Sequence, residues 1–565
     1  MLGSGLKAPL KSLPPAFAPM ACAKRRLCVA GLIKALALKL SAQIKVDCEM
    51  LFARFDVDSD GLLDKAEVKS LLRAVLFQKC KSVVLDADVL PRKRLRNAYQ
   101  ILRKLGEGGQ GAMYLAQHRR VGAKRCVKFY PKGAPNAPIE DILFEFEVMK
   151  TLDSPHVART YEIFQDGSWF YIISEPYTGG DLTKLVASAS EAQVKVTEEW
   201  LSNIFSQVLK GLVFLHSKKI LHCDLKESNV MVAEDLKVNF QNPHVILIDF
   251  GLSSTFLSTE RGVWGTPGYI PPETFVSLFW VPKGDIFSAG VMFYQILSGR
   301  QAPFAHPSSP QTHSSGGEAN WDVVEERTRQ IDLPVDGIRA SLSCKAMLKQ
   351  MTSKDFKLRP TARECLELPW FSQAKPESLV ATAALDRLKA LQTRSASQKA
   401  IFEKMLSACN LAQMRSLNDL FRRLDKDGDG IVTKQEAQEA LRETDIRPEM
   451  LQRLVGILTG PDGMGVEYSA FMAQMIGEEV LHEGVRLWDL FCELDLDGDG
   501  YLTREELPGL VAACKFNPGE AERLLLELDS DGDGRVSFQE FKSACLSGVD
   551  LSFSRRLRDG WLWPW

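Results

Sequence analysis

The chain has 565 residues, which is too long for one hydrophobic core and predicts several domains. Apolar residues make up 45% and charged residues 25%, as in ordinary folded proteins, so a disordered chain is excluded. Lys and Arg total 70 against 72 for Asp and Glu, and the resulting net charge of −2 gives no reason to expect nucleic acid as a partner. The 12 cysteines form no C-x-x-C pair, and no run of 18 uncharged apolar residues occurs, so we expect neither a disulfide scaffold, nor a zinc site, nor a membrane-spanning helix.

The first 43 residues form a basic arm without any acidic residue. A basic amphipathic helix over residues 25–46 could lie on anionic lipid, where Cys22 and Cys28 could accept palmitate. An organelle presequence and the entering helix of the following motif are the alternatives. Leu2 excludes N-myristoylation of this form of the chain. We expect a cytoplasmic protein with peripheral membrane contact.

Residues 44–80 contain an acidic loop after an apolar helix. A Ca²⁺ ion needs six to eight oxygen ligands, which an EF-hand supplies from alternate residues of a twelve-residue loop. The predicted ligands, among which the leucine contributes its backbone carbonyl, are Asp56, Asp58, Asp60, Leu62, Asp64 and Glu67. EF-hands normally pair, yet no second hand follows between residues 68 and 98. The partner is therefore either another surface of this chain or another molecule.

Residues 99–371 begin with a glycine loop, in which Gly106, Gly108 and Gly111 follow an apolar run. This G-x-G-x-x-G pattern alone also fits a dinucleotide-binding unit, but residues 112–117 read as a second strand rather than a helix. A β-hairpin over bound phosphates is therefore predicted. Lys128 in the next strand is suited to hold the α- and β-phosphates, with Glu145 on a following helix orienting it.

The strongest motif runs from His222 to Asn229 and continues with D-F-G at 249–251 and P-P-E at 271–273. This order and spacing are those of a protein kinase. Asp224 is expected to accept the proton of the substrate hydroxyl and Lys226 to contact the γ-phosphate. Asn229 and Asp249 are expected to hold Mg²⁺. Arg359 is expected to pair with Glu273, and Asp285 supports the same assignment.

The region 413–548 repeats the acidic loop, so a calmodulin-like domain is predicted. Three loops carry the full set of calcium ligands: Asp425, Asp427, Asp429, Ile431 and Glu436; Asp495, Asp497, Asp499, Tyr501 and Glu506; and Asp529, Asp531, Asp533, Arg535 and Glu540. The first two of these loops start 70 residues apart, about twice the 34 residues between the second and third starts, so a hidden hand should begin near Thr459. Its ligand positions lack carboxylates. This second hand is expected to be a structural partner that binds no calcium.

Residues 372–412 join these regions as a basic amphipathic helix of the kind that calcium-loaded EF-hands bind. A plain helical spacer is the alternative. The chain ends in residues 549–565, whose Trp561, Trp563 and Trp565 suit either a docking segment or a frayed terminus.

With these motifs, residues from about 99 to 545 resemble the calcium-dependent protein kinases of plants and alveolate protists. The resemblance implies a multidomain α+β chain, with a bilobal kinase fold (a β-rich N-lobe and an α-rich C-lobe) and all-α EF-hand domains. It implies ATP, Mg²⁺ and Ca²⁺ as cofactors, with Glu175 at the hinge of the ATP site. It also implies protein substrates with Ser or Thr hydroxyls, as Lys226 and Thr266 match the Ser/Thr-specific pattern. Asp181 would favour basic substrate motifs.

Three departures from the family pattern affect this interpretation. Cys223 replaces the arginine that normally neutralises a phosphate on the activation segment, so phosphorylation there should not be the main switch. A small buried thiol is preferred for Cys223 over a redox-active one. Ser174 gives the gatekeeper position a small side chain. The upstream EF-hand and the basic arm lie outside the usual layout, which implies a divergent subgroup.

The hypothesis is that the junction 372–412 blocks the substrate cleft without calcium and is drawn away when the EF-hands load. The competing hypothesis is a calcium-responsive scaffold, a pseudokinase that binds partners without catalysis; intact Lys128, Asp224 and Asp249 argue against it. Control by a separate calmodulin is weakened by the EF-hands of the chain itself.

Overall fold

The computed structural model describes residues 48–57, 61–71, 90–108, 111–119, 122–133, 139–233, 240, 242–256, 258, 261–301, 303–304, 321–371, 414–442, 452, 454–456, 465–475, 491, 494–495, 499–507, 525 and 528–546. The predictions for the basic arm, the junction 372–412 and the Trp-rich tail fall outside these residues, as do those for Asp58, Asp60 and Asp497. The chain divides into two compact units. One contains Met1–Asp86, Leu215–Asn229 and Phe250–Gln373, and the other contains Ala87–Phe214, Val230–Asp249 and Ala374–Trp565.

The strands are β1 Tyr99–Gly108, β2 Gly111–His118, β3 Lys124–Pro131, β4 Thr160–Gln165, β5 Trp169–Ser174, β6 Ile220–Leu221, β7 Val230–Val232, β8 Val245–Leu247, β9 Ser254–Thr255, β10 Ile431–Val432, β11 Val466–Glu467, β12 Tyr501–Leu502 and β13 Val536–Ser537. The helices are α1 Cys48–Phe55, α2 Leu95–Ala98, α3 Ile139–Lys150, α4 Leu182–Glu191, α5 Glu198–Ser217, α6 Pro272–Ser277, α7 Pro282–Ser298, α8 Trp321–Gln330, α9 Leu342–Met351, α10 Ala362–Leu366, α11 Arg415–Leu424, α12 Lys434–Arg442, α13 Tyr468–Met475 and α14 Phe538–Leu546. Within the described part of the chain, no helix is both long enough and apolar enough to cross a bilayer.

The second unit begins with an antiparallel sheet in the order β1-β2-β3-β5-β4, which is the expected β-rich N-lobe. Strands β1 and β2 form a hairpin in which Gly108 lies opposite Gly111, so the hairpin interpretation of the glycine loop is confirmed. Gly111 is required by close approach, because a Cβ atom there would lie 2.0 Å from the carbonyl oxygen of Phe129. Helix α3 packs behind the sheet, where Ile142 and Phe146 share one apolar cluster with Tyr130 of β3.

The same unit contains the C-terminal EF-hands. Strands β10 and β11 pair antiparallel, with Val432 opposite Val466, and β12 and β13 pair with Leu502 opposite Val536. Val432, Leu502 and Val536 each occupy the eighth position of their loop, so Val466 implies a loop that starts at 459, as predicted from the spacing. The aromatic ring of Phe421 on α11 contacts that of Phe471 on α13 at 5.2 Å, which gives the first pair an apolar core.

The first unit is built around α7, whose residues from Lys283 to Tyr294 are all buried. The predicted pair of Arg359 and Glu273 forms here, with two parallel N–H···O bonds of 2.6 and 2.7 Å and a guanidinium that is fully buried. Pro282 begins α7 at a position where its missing N–H costs no helical hydrogen bond, and Gly299 ends the helix in the left-handed conformation.

The N-terminal EF-hand belongs to this first unit and contributes to its core. Leu51, Phe52 and Phe55 of α1, with Leu63 and Leu71 of the same hand, share one apolar cluster with residues of the kinase region. These kinase residues are Leu221, Cys223, Phe256, Ile270 and Trp280. The described residues of this hand thus pack against another surface of the same chain, which is one of the two alternatives that the sequence left open.

Candidate active site and EF-hand loops

Strand β3 places Lys128 beside two carboxylates of the second unit. Its Nζ lies 3.1 Å from Glu145 Oε1 on α3 and 3.6 Å from Asp249 Oδ1. The hydroxyl of Tyr130 donates to Glu145 Oε2 at 2.6 Å and fixes this carboxylate. Burial acts to lower the pKa of Lys128, but the charges of Glu145 and Asp249 outweigh it and hold the pKa well above its usual value. The ammonium group is therefore cationic at neutral pH and able to contact phosphate oxygens.

Asp249 adopts a left-handed backbone conformation, with φ 63°, which is uncommon for a residue with a side chain. Its carboxylate is 46% exposed, although its neighbour Glu145 is only 6% exposed. A strained backbone that directs a solvent-facing carboxylate is a feature of functional positions. The oxygen donors of this group suit a hard cation such as Mg²⁺.

The catalytic loop lies in the first unit and surrounds Asp224 with donors. Thr266 Oγ1 donates to Asp224 Oδ1 at 2.5 Å, and Lys226 Nζ lies 2.8 Å from Oδ2. Lys226 also donates to Thr266 Oγ1 at 2.7 Å, so these three side chains form a closed set. Asn229 Nδ2 donates to the backbone oxygen and to Oδ2 of Asp224, at 2.7 and 3.1 Å. The carboxylate is thereby fixed as an acceptor.

Asp285 of α7 binds the backbone of this catalytic loop. Its fully buried carboxylate accepts hydrogen bonds from the backbone N–H groups of His222 and Cys223, both at 3.0 Å, and Nε2 of His216 lies 2.9 Å from it. Cys223 is left-handed, with φ 63°, and completely buried. Burial raises the pKa of its thiol well above the usual value, which agrees with the expected buried, unreactive thiol.

The predicted hinge residue Glu175 has a buried side chain. Its N–H donates to the carbonyl oxygen of Arg159 at 3.0 Å, which extends the pairing of β4 and β5 to the hinge. Glu175, Arg159 and Tyr177 line a cavity together with Tyr468 of α13, a residue that sequence reasoning did not single out. Burial, and after it the charge of Glu175, raises the pKa of the Tyr468 phenol well above its usual value. The second EF-hand of the tail therefore lies beside the hinge segment.

The loop 425–436 brings its predicted ligands together. Carboxylate oxygens of Asp425, Asp427 and Asp429 lie within 4.8 Å of one another. Burial, together with the neighbouring carboxylates, raises the pKa of Asp425 to about 7, although Lys210 acts in the opposite direction. Repulsion among converging carboxylates is what a bound divalent cation would relieve, so the donor set fits Ca²⁺.

The last loop has the same arrangement, with Asp529, Asp531 and Asp533 equally close. The residue at position seven donates its N–H to the position-five carboxylate in each of three hands: Ile431 to Asp429, Tyr501 to Asp499 and Arg535 to Asp533, at 2.9, 2.9 and 2.8 Å. The position-twelve glutamates accept from backbone N–H groups of their own loops. These bonds are Thr433 to Glu436, Thr503 to Glu506 and Ser537 to Glu540.

The N-terminal loop is described in part. Gly61 N–H donates to Asp56 Oδ2 at 3.0 Å, as the equivalent glycines of the tail do to their first aspartate. Glu67 accepts from the N–H groups of Val57 and Asp64, both at 2.8 Å. The described ligands of this hand thus have the loop geometry seen in the tail.

These motifs, with the five-stranded sheet and the EF-hand pairs, define a protein kinase that carries EF-hands. The family model for the protein kinase domain matches residues 99–371, that for an EF-hand domain pair matches 485–546, and that for the EF hand matches 49–72 and 417–439. The chain thus carries a protein kinase domain together with EF-hands, and it is similar to curated proteins named calcium-dependent protein kinases.

Three of these curated relatives match the chain over most of their length. Calcium-dependent protein kinase 5 of Plasmodium falciparum is 26% identical over 477 residues, which cover 81% of this chain and 80% of the relative. Calcium-dependent protein kinase 9 of Oryza sativa subsp. japonica is 28% identical over 473 residues, covering 81% and 79%. Calcium-dependent protein kinase 4 of Plasmodium falciparum is 27% identical over 512 residues, covering 86% and 91%.

Proposed function

We propose that the chain is a calcium-activated protein kinase that transfers the γ-phosphoryl group of ATP to Ser and Thr hydroxyls of proteins. The observation that carries this proposal is the intact set of hydrogen bonds around Asp224, which Thr266, Lys226 and Asn229 supply. A scaffold without catalysis would have no need of a carboxylate oriented in this way.

In the proposed reaction, the substrate hydroxyl oxygen bonds to the γ-phosphorus while the bond to the β–γ bridging oxygen breaks. The bridging oxygen keeps the electron pair and leaves as part of ADP, and the hydroxyl proton passes to Asp224. Lys226 and Thr266 orient the Asp224 carboxylate, and Lys128, held by Glu145, contacts phosphate oxygens. Asn229 and Asp249 would hold Mg²⁺, which when bound neutralises the negative charge that develops on the phosphoryl oxygens.

Support for calcium control comes from the first EF-hand of the tail, which lies against α5 of the kinase region. Lys210 Nζ approaches the backbone oxygens of Arg422 and Asp425 at 3.4 and 3.5 Å. Arg422 Nη1 donates to Gln207 Oε1 at 2.8 Å. A change in the shape of this loop on calcium binding would therefore alter its contacts with α5 directly.

The second hand of the tail has its own contact with the kinase region. The N–H of Ser469 donates to Asp153 Oδ2 at 2.9 Å, and Tyr468 lines the cavity that contains Glu175. We infer that calcium loading of the first hand reaches the hinge through its paired second hand. The junction 372–412 as a target helix, basic substrate motifs read by Asp181, and a cytoplasmic location with peripheral membrane contact stay proposals from the sequence.

The decisive experiment measures phosphate incorporation into a Ser/Thr peptide against free calcium, with the full chain and with Asp224→Asn. Because a general base contributes about 100- to 10,000-fold, the variant should lose roughly a thousandfold in kcat at saturating calcium. Asp322→Asn changes an exposed aspartate of α8 and should behave as wild type. If the wild type binds ATP but shows no turnover at any calcium concentration, the scaffold hypothesis is correct instead.

A further inference from the structure

The N-terminal EF-hand presents a buried arginine to the kinase region. Arg54 lies in the last turn of α1 and has no exposed surface. A buried guanidinium must find acceptors for its donors, since an unsatisfied buried charge is strongly destabilising. The groups that accept hydrogen bonds from Arg54 therefore show which parts of the kinase region it binds.

Arg54 donates to four backbone carbonyl oxygens. Nε donates to that of Trp280 at 2.9 Å, and Nη1 to those of Thr255, Phe256 and Ser258 at 3.1, 3.3 and 2.8 Å. Residues 255–258 lie just after the D-F-G motif, in the first part of the activation segment, whereas Trp280 lies just beyond its P-P-E end. A single side chain thus joins the two ends of the activation segment.

Apolar contacts hold α1 in the position from which Arg54 can make these hydrogen bonds. The ring of Phe55 meets that of Phe256 edge to face at 5.4 Å, and Trp280 belongs to the same buried cluster. Met50 packs with Phe279 and Val281 in a second cluster. Helix α1 therefore packs against Phe256 and Trp280, whose carbonyl groups Arg54 binds, and against the two neighbours of Trp280 in the chain.

The same region contains Cys223, where the kinase pattern has an arginine. Cys223 lies in the cluster that contains Phe55, and the positive charge of Arg54 acts to lower the pKa of its thiol. The catalytic loop lacks the arginine side chain at this position, and α1 supplies the guanidinium group of Arg54 to the backbone of the activation segment. The carbonyl oxygens of the segment, rather than an added phosphate, are the acceptors.

We propose that Arg54 is a positioning residue for the kinase reaction, and that the N-terminal EF-hand acts as a clamp that orders the activation segment in place of the missing catalytic-loop arginine. This inference rests on the proposed kinase activity. The consequence reaches Asp224 in two ways, because Cys223 is its chain neighbour and Thr266 of the activation segment donates to its carboxylate.

The test compares Arg54→Gln and Arg54→Lys in the full chain at saturating calcium. Glutamine keeps the helix propensity but loses the charge and the forked donors, and a misplaced catalytic group can cost about 100-fold in rate, so kcat should fall at least about tenfold. The KM for ATP should stay within about twofold of wild type, because the proposed role concerns orientation rather than nucleotide binding. Lysine restores a cationic donor and should recover part of kcat.

Hydrogen exchange gives a second readout that does not depend on activity. The amide of Phe256 donates to the carbonyl oxygen of Lys219 at 2.9 Å, and that of Ser258 to Thr255 at 3.0 Å. Both amides should be protected in the wild type and should exchange at least about tenfold faster in Arg54→Gln, since local opening governs their exchange. Arg339→Gln, at an exposed arginine of the same unit, is the matched control and should change neither readout.

The inference is overturned if Arg54→Gln keeps the wild-type kcat, or if lysine at this position restores no more activity than glutamine does. It is also overturned if the amides of Phe256 and Ser258 exchange rapidly in the wild type, a result that needs no folded variant. A wild type without any turnover would instead contradict the proposed function, and the exchange data would still decide whether the clamp exists.

Discussion

Two EF-hands of this chain contact kinase residues in opposite ways. The N-terminal hand contributes mainly its entering helix, where Phe55 is buried, whereas a Cβ atom on Gly61 of its loop would meet no atom within 4 Å. In the first hand of the tail, the loop itself also lies against the kinase region, beside the contact that Arg422 of α11 makes with Gln207. A Cβ atom on Gly430, at the equivalent loop position, would lie 2.7 Å from the ring of Phe214 on α5.

This difference indicates whether a change in the shape of each loop would alter the contact of its hand with the kinase region. A loop that lies directly on α5 cannot change shape without moving its contact surface, so occupancy of the loop 425–436 and docking of the tail should be strongly coupled. A hand attached through its helix can stay docked while its loop changes. The N-terminal hand should therefore support the active arrangement, and the tail should set its calcium dependence.

The largest effect should come from removing a carboxylate at position twelve. Glu436→Gln should weaken calcium binding to its loop by about 3 kcal/mol, roughly 100-fold, because a dication loses a charged ligand. The free calcium concentration for half-maximal phosphate incorporation should rise accordingly, as calorimetric calcium titration would show in parallel. Glu67→Gln is the matched change in the N-terminal hand and should leave that concentration within about twofold. Equal shifts in the two variants would remove the distinction between the hands.

An intermediate effect is expected from a methyl group on the docked loop. Gly430 and Gly500 have nearly the same left-handed φ, 83° and 86°, so alanine should cost about 1 kcal/mol at either position for the backbone. Of these two positions, only Gly430 would also bring the methyl group against Phe214, which should add about 1 kcal/mol. The amide of Ser469, which donates to Asp153, should then exchange faster in Gly430→Ala than in Gly500→Ala. Identical exchange in both would show that the loop does not depend on this surface.

The smallest effect should come from the charge of Lys210. Burial lowers the pKa of this lysine, but its ammonium group still lies beside the loop and opposes a bound cation. Lys210→Met should therefore raise the calcium affinity of the loop 425–436 by about 1 kcal/mol, roughly fivefold. Lys195→Met, at an exposed lysine, serves as the control in the same calorimetric titration. A weaker affinity in Lys210→Met would mean that the lysine stabilises the loaded loop.

The catalytic motifs and the tail pairs were predictable because their spacing is set by local geometry. A twelve-residue loop places its eighth residue in a short strand, so a hand that begins near 459, as the spacing predicts, has Val466 at the position that pairs with Val432. The glycine hairpin followed from the strand pattern after Gly111, and Lys128 and Glu145 followed from their positions on β3 and α3. Each of these assignments uses contacts that an element makes with its neighbours in the same motif.

The docking of the two hands was not predictable in this way, because it joins residues more than 200 positions apart. Arg54 carried a weak signal, as a charged residue beside the apolar face of Leu51 and Phe55 in a chain whose catalytic loop lacks an arginine at position 223. Nothing in the sequence connected these two facts. Nothing in the sequence singles out Tyr468, and only its place beside Glu175 gives it a functional meaning.

The four backbone carbonyl oxygens that accept hydrogen bonds from Arg54 also bear on how quickly this enzyme can respond in a cell. A segment ordered by a phosphate waits for a second kinase to act and for a phosphatase to end the signal. A segment ordered by a side chain of the same polypeptide needs neither enzyme. The delay between a calcium pulse and the first phosphorylated substrate would then be set by conformational rearrangement alone, and the response would fade as soon as the ion is pumped away.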